Sequence, residues 1–436
     1  MTKQSVSIVK YRKNHDTVRN ALELCDGFKE LKANDKVLIK PNIVLASNRK
    51  KIPLYGVVTT TRVLEEIIIL LREYGCTDIT IGEGSPYHKE LNLSTLNGYQ
   101  SSGLTRVAEK YGINLVDFNN GEFKNVDLGP TKIKLAREAL ESDFLINVPV
   151  LKTHMQAMVS LNLKNLKGCL KQSSKMKFHK VGLDEMIARL NMVLKPKLNI
   201  IDGIYSIERG PGISGRAYRT NLIIASRDAF SGDIVGTTCL GIDPLTVEYF
   251  SQYSDLAGQP LNLQDIEIKG VSIDDVIFPL EWKMREAEQI MADYDIKGAT
   301  FQWPGNTLCT NCAIMSDTFM GVFLKDNKGS TFDSIEFVLG DKVRPHKASK
   351  QVFLMGDCAV RNNSECDHTV KIRGCPVGVG DSVFKVYNHT LGKSKRRKLL
   401  ALRMLKGMAE KLGVYEETFP RPYSYDMPDF DQSFYR

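Results

Sequence analysis

The sequence predicts an α/β fold, in which a mainly parallel sheet is layered with helices and is followed by a smaller C-terminal iron–sulphur α/β domain. Short apolar runs alternate with helical periodicity over the N-terminal two-thirds of the 436 residues, and a chain of that length favours two domains. Five of the nine cysteines fall between Cys309 and Cys375. We therefore expect an α/β ligand-binding body over 1–271 and a cluster domain with a basic helical tail over 272–436.

The predicted strands are short, rich in branched apolar residues and apolar on both faces, which is typical of strands covered on both sides. Two helices are predicted where apolar residues recur at helical spacing and end on a glycine: TTTRVLEEIIILLREYG to Gly75 and GLTRVAEKYG to Gly112. The run LEWKMREAEQIMADY predicts a helix that bridges the two domains. The six strands are expected at Lys36–Lys40, Asp78–Ile81, Asn114–Phe118, Phe144–Val148, Leu198–Ile201 and Leu222–Ala225.

Charge and hydropathy narrow the class of protein. The net charge of +8 comes from 59 Lys and Arg against 51 Asp and Glu, spread along the chain, and does not by itself indicate nucleic acid. No apolar run approaches the length of a membrane span, and the N-terminus lacks the apolar core of a signal peptide, so a cytoplasmic protein is expected. The basic run Lys393–Lys398 (KSKRRK) is interpreted as a solvated helix face, with docking of an anionic partner as the alternative.

Four cysteines form the predicted metal set. Cys309 and Cys312 have the Cys-x-x-Cys spacing that lets two thiolates reach one metal centre from a single turn. Cys358 follows the strand-like run FLMG, and Cys375 lies in Gly-Cys-Pro. One short pair with two distant single cysteines favours a 4Fe–4S cluster over zinc, whose ribbons usually have two short pairs. Structural zinc stays open, as does replacement of Cys358 or Cys375 by Cys366.

Polar residues follow the predicted strands at the carboxyl edge of the sheet, where open α/β folds bind their ligands. A lysine at that edge favours an anionic ligand, and glycines allow the backbone to approach the ligand closely. The alternative for Lys40 is that it lies at the sheet edge in water and binds no ligand. The expected ligand-binding residues are Lys40, Asn42, Gly82, Gly84, Ser85 and Asp202.

The segment from Asn147 to Gly168 carries the expected catalytic groups. It holds one histidine and three lysines within a short stretch, at the end of a predicted strand. His154 is the predicted general acid or base. Lys152 and Lys164 are expected to bind an anion or to lower the pKa of His154. Glu83, at the end of another predicted strand, is the fourth expected catalytic residue. A solvated loop with a satisfied histidine is the alternative. Of Asp228 and Asp233, which follow a later strand, one is expected to cap a helix.

The order of motifs IKPN, GEGSP, NVPVLKTH with LKNLKG, IIDGI with GPG, and the helix start near Asp233 resembles the family known as domain of unknown function 362, DUF362. The resemblance spans roughly 37–270. It implies an association with iron–sulphur clusters, which members often hold in an appended ferredoxin-type module. This chain lacks the Cys-x2-Cys-x2-Cys-x3-Cys run of such modules, and its Gly-Cys-Pro is similar to the cluster loop in small subunits of hydrogenases and respiratory Complex I.

A fainter similarity connects the same segment to the lactate racemase family. Its nickel-pincer enzymes place a histidine and a cofactor-bearing lysine ten residues apart, and His154 and Lys164 match that spacing. Where that family has its second catalytic histidine, this chain offers Glu83 and Ser85. The similarity therefore indicates where the pocket lies.

Together these features predict a cytosolic 4Fe–4S protein, acting as an oxidoreductase or electron-transfer protein on an anionic substrate or cofactor at the strand ends. Two alternatives stay open: a maturation or carrier protein with a structural or sensory cluster, and a non-redox isomerase that uses His154 as acid and base. The expected partners are a small anionic ligand and a redox protein such as ferredoxin. Neither a membrane span nor nucleic acid is expected, and a homo-oligomer stays open.

Overall fold

The computed structural model describes residues 3–13, 16–44, 54–87, 92–210, 215–283, 287–302, 308–390 and 431–435. The basic run Lys393–Lys398 and the Pro211–Gly212 step lie outside these residues. The chain divides into two compact units, Met1–Lys283 with Pro422–Arg436, and Met284–Arg421. The sequence-based boundary between 271 and 272 stays a prediction.

The first unit is built from strands and helices that alternate along most of its length. Its strands are β1 (Gln4–Lys10), β2 (Val37–Pro41), β3 (Ile79–Glu83), β4 (Asn114–Asp117), β5 (Phe123–Asp127), β6 (Lys132–Ala136), β7 (Phe144–Val148), β8 (Val150–His154), β9 (Met158–Val159), β10 (Leu198–Gly210), β11 (Ala217–Ser226) and β12 (Ile266–Gly270). Its helices are α1 (Thr17–Leu24), α2 (Thr61–Tyr74), α3 (Thr95–Ser101), α4 (Leu104–Tyr111), α5 (Arg137–Glu141), α6 (Asn162–Asn165), α7 (Gln172–Val181), α8 (Leu183–Val193), α9 (Ala229–Cys239) and α10 (Glu248–Ala257).

Ten of these described strands form one mixed sheet, in the order β12-β1-β11-β10-β7-β2-β3-β4, with β8 paired to β10 and β9 paired to β8. Parallel pairing joins β4, β3, β2, β7 and β10, whereas β11 runs antiparallel to both of its neighbours. The predicted α/β class with a large, mostly parallel sheet is thus confirmed. Strands β5 and β6 form a separate hairpin.

The predicted elements of this unit correspond closely to the observed ones. All six predicted strands are present, and Phe144–Val148 coincides with β7. Helix α2 begins after Thr60, whose side chain accepts a hydrogen bond from the Val63 amide, and ends at Gly75 with φ of 105°. These are the cap and the left-handed end that the sequence predicted.

The strand that carries the site changes its neighbour as it leaves the sheet. β7 pairs with the start of β10, and after Pro149 the chain continues as β8 beside the later part of the same long strand. In that register Ile207 lies opposite Lys152, and Gly210 lies opposite His154. Pairing with the second half of β10 therefore extends β8, with Lys152 and His154, beyond the ends of β2 and β3.

The second unit is a smaller α/β layer. Its strands β13 (Lys297–Gln302), β14 (Thr331–Leu339), β15 (Gln351–Met355) and β16 (Thr369–Ile372) form a parallel sheet in chain order. Its helices are α11 (Ala287–Asp293), α12 (Thr310–Asp326), α13 (Asp357–Asn362) and α14 (Val379–Thr390).

One predicted helix is shorter than expected. Of the run Leu280–Tyr294, only Ala287–Asp293 is helical among the described residues, and Leu280–Lys283 is irregular. Tertiary contacts account for the difference, because the Leu280 amide donates to the Leu240 carbonyl and the Glu281 carbonyl accepts from Thr153. In the described part of the chain, no helix combines the length and apolarity that a membrane crossing needs.

Asp233 holds the first residues of helix α6, which carries Lys164. It is fully buried, and its two carboxylate oxygens accept from the amides of Asn162 (2.6 Å) and Leu163 (3.0 Å). Asp228, by contrast, caps α9 by accepting from the Ser231 amide, as the sequence predicted for one of the pair.

We expect Asp233→Ala to lower the free energy of unfolding by about 2–4 kcal/mol, because it leaves two buried amide donors without an acceptor. Asp233→Asn keeps one acceptor oxygen and should lose less than half as much. Urea titration followed by circular dichroism measures both variants. Equal losses for the two would show that side-chain volume matters here and not the hydrogen bonds.

Candidate functional site

The predicted site residues of the first unit meet at one edge of the sheet. Lys40 lies at the end of β2, Glu83 ends β3, and Lys152 and His154 lie on β8. Helix α6 and the turn after it bring Lys164 over the same edge, and the Coulombic interactions among these lysines and His154 place them in one neighbourhood. The parallel register of β2, β3 and β7 produces this convergence, since their carboxyl ends lie side by side.

A buried ion pair between Lys40 and Glu83 forms the floor of the site. Lys40 is 1% exposed and Glu83 is 4% exposed. The Lys40 ammonium donates to Glu83 Oε2 (2.9 Å), to Asn165 Oδ1 (3.0 Å) and to the Pro41 carbonyl (2.9 Å). Its three N–H groups are thus all engaged, so Lys40 supports the site through the ion pair in this arrangement.

The Glu83 carboxylate is engaged on both oxygens. Oε2 also accepts from the Ile43 amide (3.0 Å), and Oε1 accepts from the Gly84 amide (2.7 Å). Two amides and an ammonium stabilise the charged form of a carboxylate and hold it in one orientation. The catalytic role predicted for Glu83 stays a prediction, and the geometry gives this residue the part of counter-charge to Lys40.

Three further predicted residues hold the surrounding backbone. The Asn42 side chain donates to the Val57 carbonyl (2.7 Å), and the Ser85 hydroxyl donates to the Ile43 carbonyl. Asp202 accepts from the amide of Thr60, the residue that caps α2, at 2.6 Å. Burial raises the pKa of Asp202 to about 6. All three are buried, and these contacts orient the loops around the lysines.

The predicted glycines are required by close packing. A Cβ atom at Gly82 would overlap the Phe118 ring, and one at Gly84 would lie 2.6 Å from the Gly168 carbonyl. Gly168 itself lies directly over the ion pair, so that a Cβ there would overlap both Glu83 Oε1 and Lys40 Nζ. The backbone of the LKNLKG segment therefore packs directly against the Lys40–Glu83 ion pair.

Lys152, which is buried, and Lys164, which is partly buried, each have one hydrogen-bond acceptor for the side-chain amine in the described residues. The Lys152 ammonium is 1% exposed and donates to the Val57 carbonyl (3.0 Å), while Lys164 donates to the Ser160 hydroxyl at 3.3 Å. Among the described residues, neither lysine forms an ion pair with a carboxylate. A buried ammonium without a counter-charge is costly, so this arrangement indicates a functional requirement.

Burial and mutual repulsion lower the pKa values of these amines. Burial first, and then the charge of Lys40, lowers the pKa of Lys152 to about 7. Burial, Lys167 and Lys152 hold the pKa of Lys164 well below its ordinary value. Without a ligand, the site therefore carries fewer protons near neutral pH than its number of lysines implies.

His154 is fixed in one neutral tautomer by its backbone. Its Nδ1 accepts from the amides of Gln156 (3.1 Å) and Ala157 (3.4 Å). An amide can donate only to a ring nitrogen without a proton, so Nε2 carries the N–H. Burial and the charges of Lys164 and Lys152 lower the pKa of His154 well below its ordinary value. In this form the His154 Nε2–H can act as a hydrogen-bond donor.

The site also contains residues that sequence reasoning did not select. Asn165 links Lys40 to Asn147, and the Lys175 ammonium donates to the Gly84 carbonyl. Burial lowers the pKa of Lys175 to about 8. His179 Nε2 lies 2.7 Å from the Lys167 ammonium. The signal in the sequence was the spacing of four between Lys175 and His179, which places both on one face of α7.

The predicted cluster ligands follow strands of the parallel sheet of the second unit. Cys309 and Cys312 come after β13, Cys358 follows β15, and Cys375 follows β16. A hydrogen bond with Cys309, burial and the nearby thiols of Cys309 and Cys375 raise the pKa of Cys312 well above its ordinary value. These three thiols are therefore close neighbours.

Cys358 joins the same edge of that sheet through the backbone. The amide of Asp357, the residue before Cys358, donates to the Gly374 carbonyl (3.0 Å), and the Gly374 amide donates back to Asp357 Oδ1 (3.2 Å). The loops of Cys358 and Cys375 are thus tied together. Among the described residues, no three Cys, His, Asp or Glu side chains are arranged as metal ligands, so the four-cysteine set stays a prediction.

We expect Gly168→Ala to lower the free energy of unfolding by about 3–5 kcal/mol, the usual cost of disrupting a buried ion pair. The added methyl group would force Lys40 away from Glu83. Gly121→Ala is the matched control, since a Cβ at Gly121 has no atom closer than 3.6 Å. Urea unfolding of the two variants and the parent should separate them, and similar stability for both alanine variants would contradict this account of Gly168.

The chain is similar in sequence to a curated relative and aligns with a solved structure. A thylakoid-associated protein of Synechocystis is 29% identical over 251 residues, covering 56% of this chain and 75% of that protein. The lactate racemase apoprotein of Thermoanaerobacterium thermosaccharolyticum aligns over 78% of this chain and 70% of its own, with 12% identity and a TM-score of 0.32. A TM-score at that level does not establish a common fold, and no chemistry is transferred from it.

The family comparison covers the segment that holds the lysine site. Strands β2 to β11, helices α2 to α8 and all but the last residue of α9 fall within it. Residues 37–238 match the family model described as Domain of unknown function (DUF362), which confirms over this segment the resemblance that the motifs indicated.

Proposed function

We propose that this protein binds a small polyanionic ligand at the buried lysines of its first unit and uses a 4Fe–4S cluster in its second unit for electron transfer. The observation that carries the proposal is that Lys152, which is buried, and Lys164, which is partly buried, form no ion pair with a carboxylate among the described residues. Buried cations of this kind become favourable when a ligand supplies the missing negative charge.

The number of lysines favours a ligand with more than one negative charge. Lys40, Lys152, Lys164 and Lys175 interact electrostatically, and in the described residues these four form one ion pair with a carboxylate, that of Lys40 with Glu83. A diphosphate or a di- or tricarboxylate would match this surplus. Lysines bind such groups as point charges from several directions.

His154 would act on the bound ligand as a hydrogen-bond donor. Its Nδ1 is occupied by two amides, so the Nε2–H is the group free to face a ligand oxygen. A neutral imidazole held this way stabilises negative charge that develops on an oxygen during a reaction. Because the ring is neutral, this role is hydrogen-bond donation to a developing negative charge, and it supports neither proton delivery to a substrate nor the general-base step of an isomerase.

The iron–sulphur part of the proposal rests on chain topology. Parallel strands deliver Cys309, Cys312, Cys358 and Cys375 to one sheet edge, with three of the thiols interacting and the fourth tied in through its backbone. Four thiolates from three loops fit a cubane cluster, which supplies one-electron transfer when bound. The electron donor would then be a soluble redox protein of the ferredoxin class.

Inorganic pyrophosphate should bind to the purified protein, more tightly at pH 6 than at pH 9. Lys152 and Lys175 have pKa values of about 7 and 8 in the free protein, and each becomes an ammonium in the complex. Binding therefore takes up protons, and affinity falls as the pH rises through these values, by up to roughly tenfold per pH unit for each proton. Isothermal titration calorimetry in buffers of different ionisation enthalpy measures both quantities.

Lys164→Met tests the assignment of the site. Loss of one charge-assisted hydrogen bond should weaken pyrophosphate binding by about 1.5–3 kcal/mol, or at least tenfold. Stability should stay level or rise, because a partly buried amine that lies among other lysines is replaced by an apolar side chain. Lys180→Met, at an exposed position of the same helix as Lys175, is the matched control. Binding that is independent of pH and of Lys164 would refute the polyanion site.

Protein purified without oxygen should contain about four iron and four sulphide per chain, with visible absorption that bleaches on reduction and returns on oxidation. Cys309→Ser and Cys375→Ser should each lower the iron content, whereas Cys239→Ser, at a buried position of α9 outside the proposed set, should not. Zinc in place of iron, or iron without reversible bleaching, would overturn the redox proposal.

A further inference from the structure

Residues 431–435, which we name the C-terminal clasp, pack against the first unit. Phe434 is 1% exposed and Tyr435 is 5% exposed, although both stand at the end of the chain. Both belong to a 3-10 turn over Gln432–Tyr435. Two large aromatic side chains buried in so short a segment indicate a specific docking contact.

Phe434 occupies a pocket of aromatic and cationic groups. Its ring meets those of Tyr11 and Tyr205 edge to face, each with centroids 5.7 Å apart, and the Arg219 guanidinium lies 4.8 Å from its centroid. Edge-to-face pairs and a cation over a ring each add to the free energy gained from burial. The polar end of the clasp is held by Asp431, which pairs with Lys13 at 2.8 Å.

Tyr435 joins the clasp to the turn over residues 54–58. Its hydroxyl donates to the Leu54 carbonyl (3.1 Å), with the Val58 carbonyl at 3.5 Å, and its ring lies edge to face with Tyr55. Leu54 precedes Val57 in the sequence of this turn, and Val58 follows it. The clasp therefore touches the backbone of this turn directly.

The same turn supports the lysine site from its other side. The Val57 carbonyl accepts from the Lys152 ammonium (3.0 Å) and from the Asn42 side chain (2.7 Å). In the described part of the chain, this is the hydrogen bond that holds the Lys152 ammonium. A shift of the turn by about 1 Å would lengthen it beyond hydrogen-bonding range.

We infer that the C-terminal clasp positions Lys152 for its ligand, with Tyr435 as the positioning residue. Tyr435 orders the turn, the turn fixes the Val57 carbonyl, and that carbonyl directs the Lys152 ammonium. The consequence for ligand affinity rests on the proposed polyanion site. The consequence for Lys152 does not, because removal of its acceptor disfavours the ammonium and lowers the pKa of the amine further.

Tyr435→Phe tests the inference while keeping the ring. We expect the pH midpoint for acetylation of Lys152 by acetic anhydride, followed by peptide mass spectrometry, to move to lower pH, and pyrophosphate affinity to fall about fivefold, as expected for loss of one hydrogen bond. Deletion of residues 431–436 should enlarge both effects. Tyr74→Phe is the control, since it also removes a hydroxyl that donates to a main-chain carbonyl (Leu31, 2.7 Å) in the first unit.

The two readouts separate the two proposals. If the parent protein does not bind pyrophosphate but Tyr435→Phe shifts the Lys152 midpoint, the polyanion proposal fails and the clasp inference holds. If Tyr435→Phe leaves the midpoint where Tyr74→Phe leaves it, the clasp has no positioning role. Thermal melting of the three proteins checks that each is folded at the temperature of the labelling.

Discussion

The Lys40–Glu83 ion pair is the interaction on which the rest of the site depends. Burying two charges is favourable only when each is also hydrogen-bonded, and here the ammonium has three acceptors and the carboxylate has three donors. The pair joins the ends of β2 and β3 and, through Asn165, the helix that follows β9. Gly168 packs against it without a side chain. Strand register, loop path and glycine placement all meet at this one contact.

Glu83 forms its ion pair with Lys40, and its charge only partly offsets the burial and repulsion that act on Lys152 and Lys175. Each ammonium in a low-dielectric site disfavours the next, which explains why burial and neighbouring charges lower the pKa values of Lys152, Lys164 and Lys175 together. The site is therefore most stable without ligand when part of it is deprotonated, and under the proposed function it would gain protons as an anion enters. Ligand charge and proton uptake are coupled by the same electrostatics.

Much of this arrangement could be predicted from the sequence, because apolar runs locate buried strands and parallel strands place their ends together. Lys40, Glu83 and His154 were found on that ground. Lys175 and its contact with Gly84 were not, since the two residues lie 91 positions apart and α7 has no motif that specifies where it packs. The segment Leu280–Lys283 was predicted to be helical from its local pattern, whereas its main chain is non-helical and is hydrogen-bonded to the Thr153 hydroxyl and the Leu240 carbonyl.

Hydrogen-bond satisfaction separates supporting residues from those that face a ligand, a distinction that residue type does not make. Lys40, Glu83 and Asp202 have their charged atoms engaged by protein groups, so they preorganise the site. Lys152 and Lys164 have the same chemistry as Lys40 but retain N–H groups without a protein acceptor in the described residues. The sequence alone does not distinguish a lysine whose N–H groups are all engaged from one whose N–H groups are not. In the fold, Lys40 forms an ion pair with Glu83, whereas Lys152 and Lys164 are the two that the proposed function gives to the ligand.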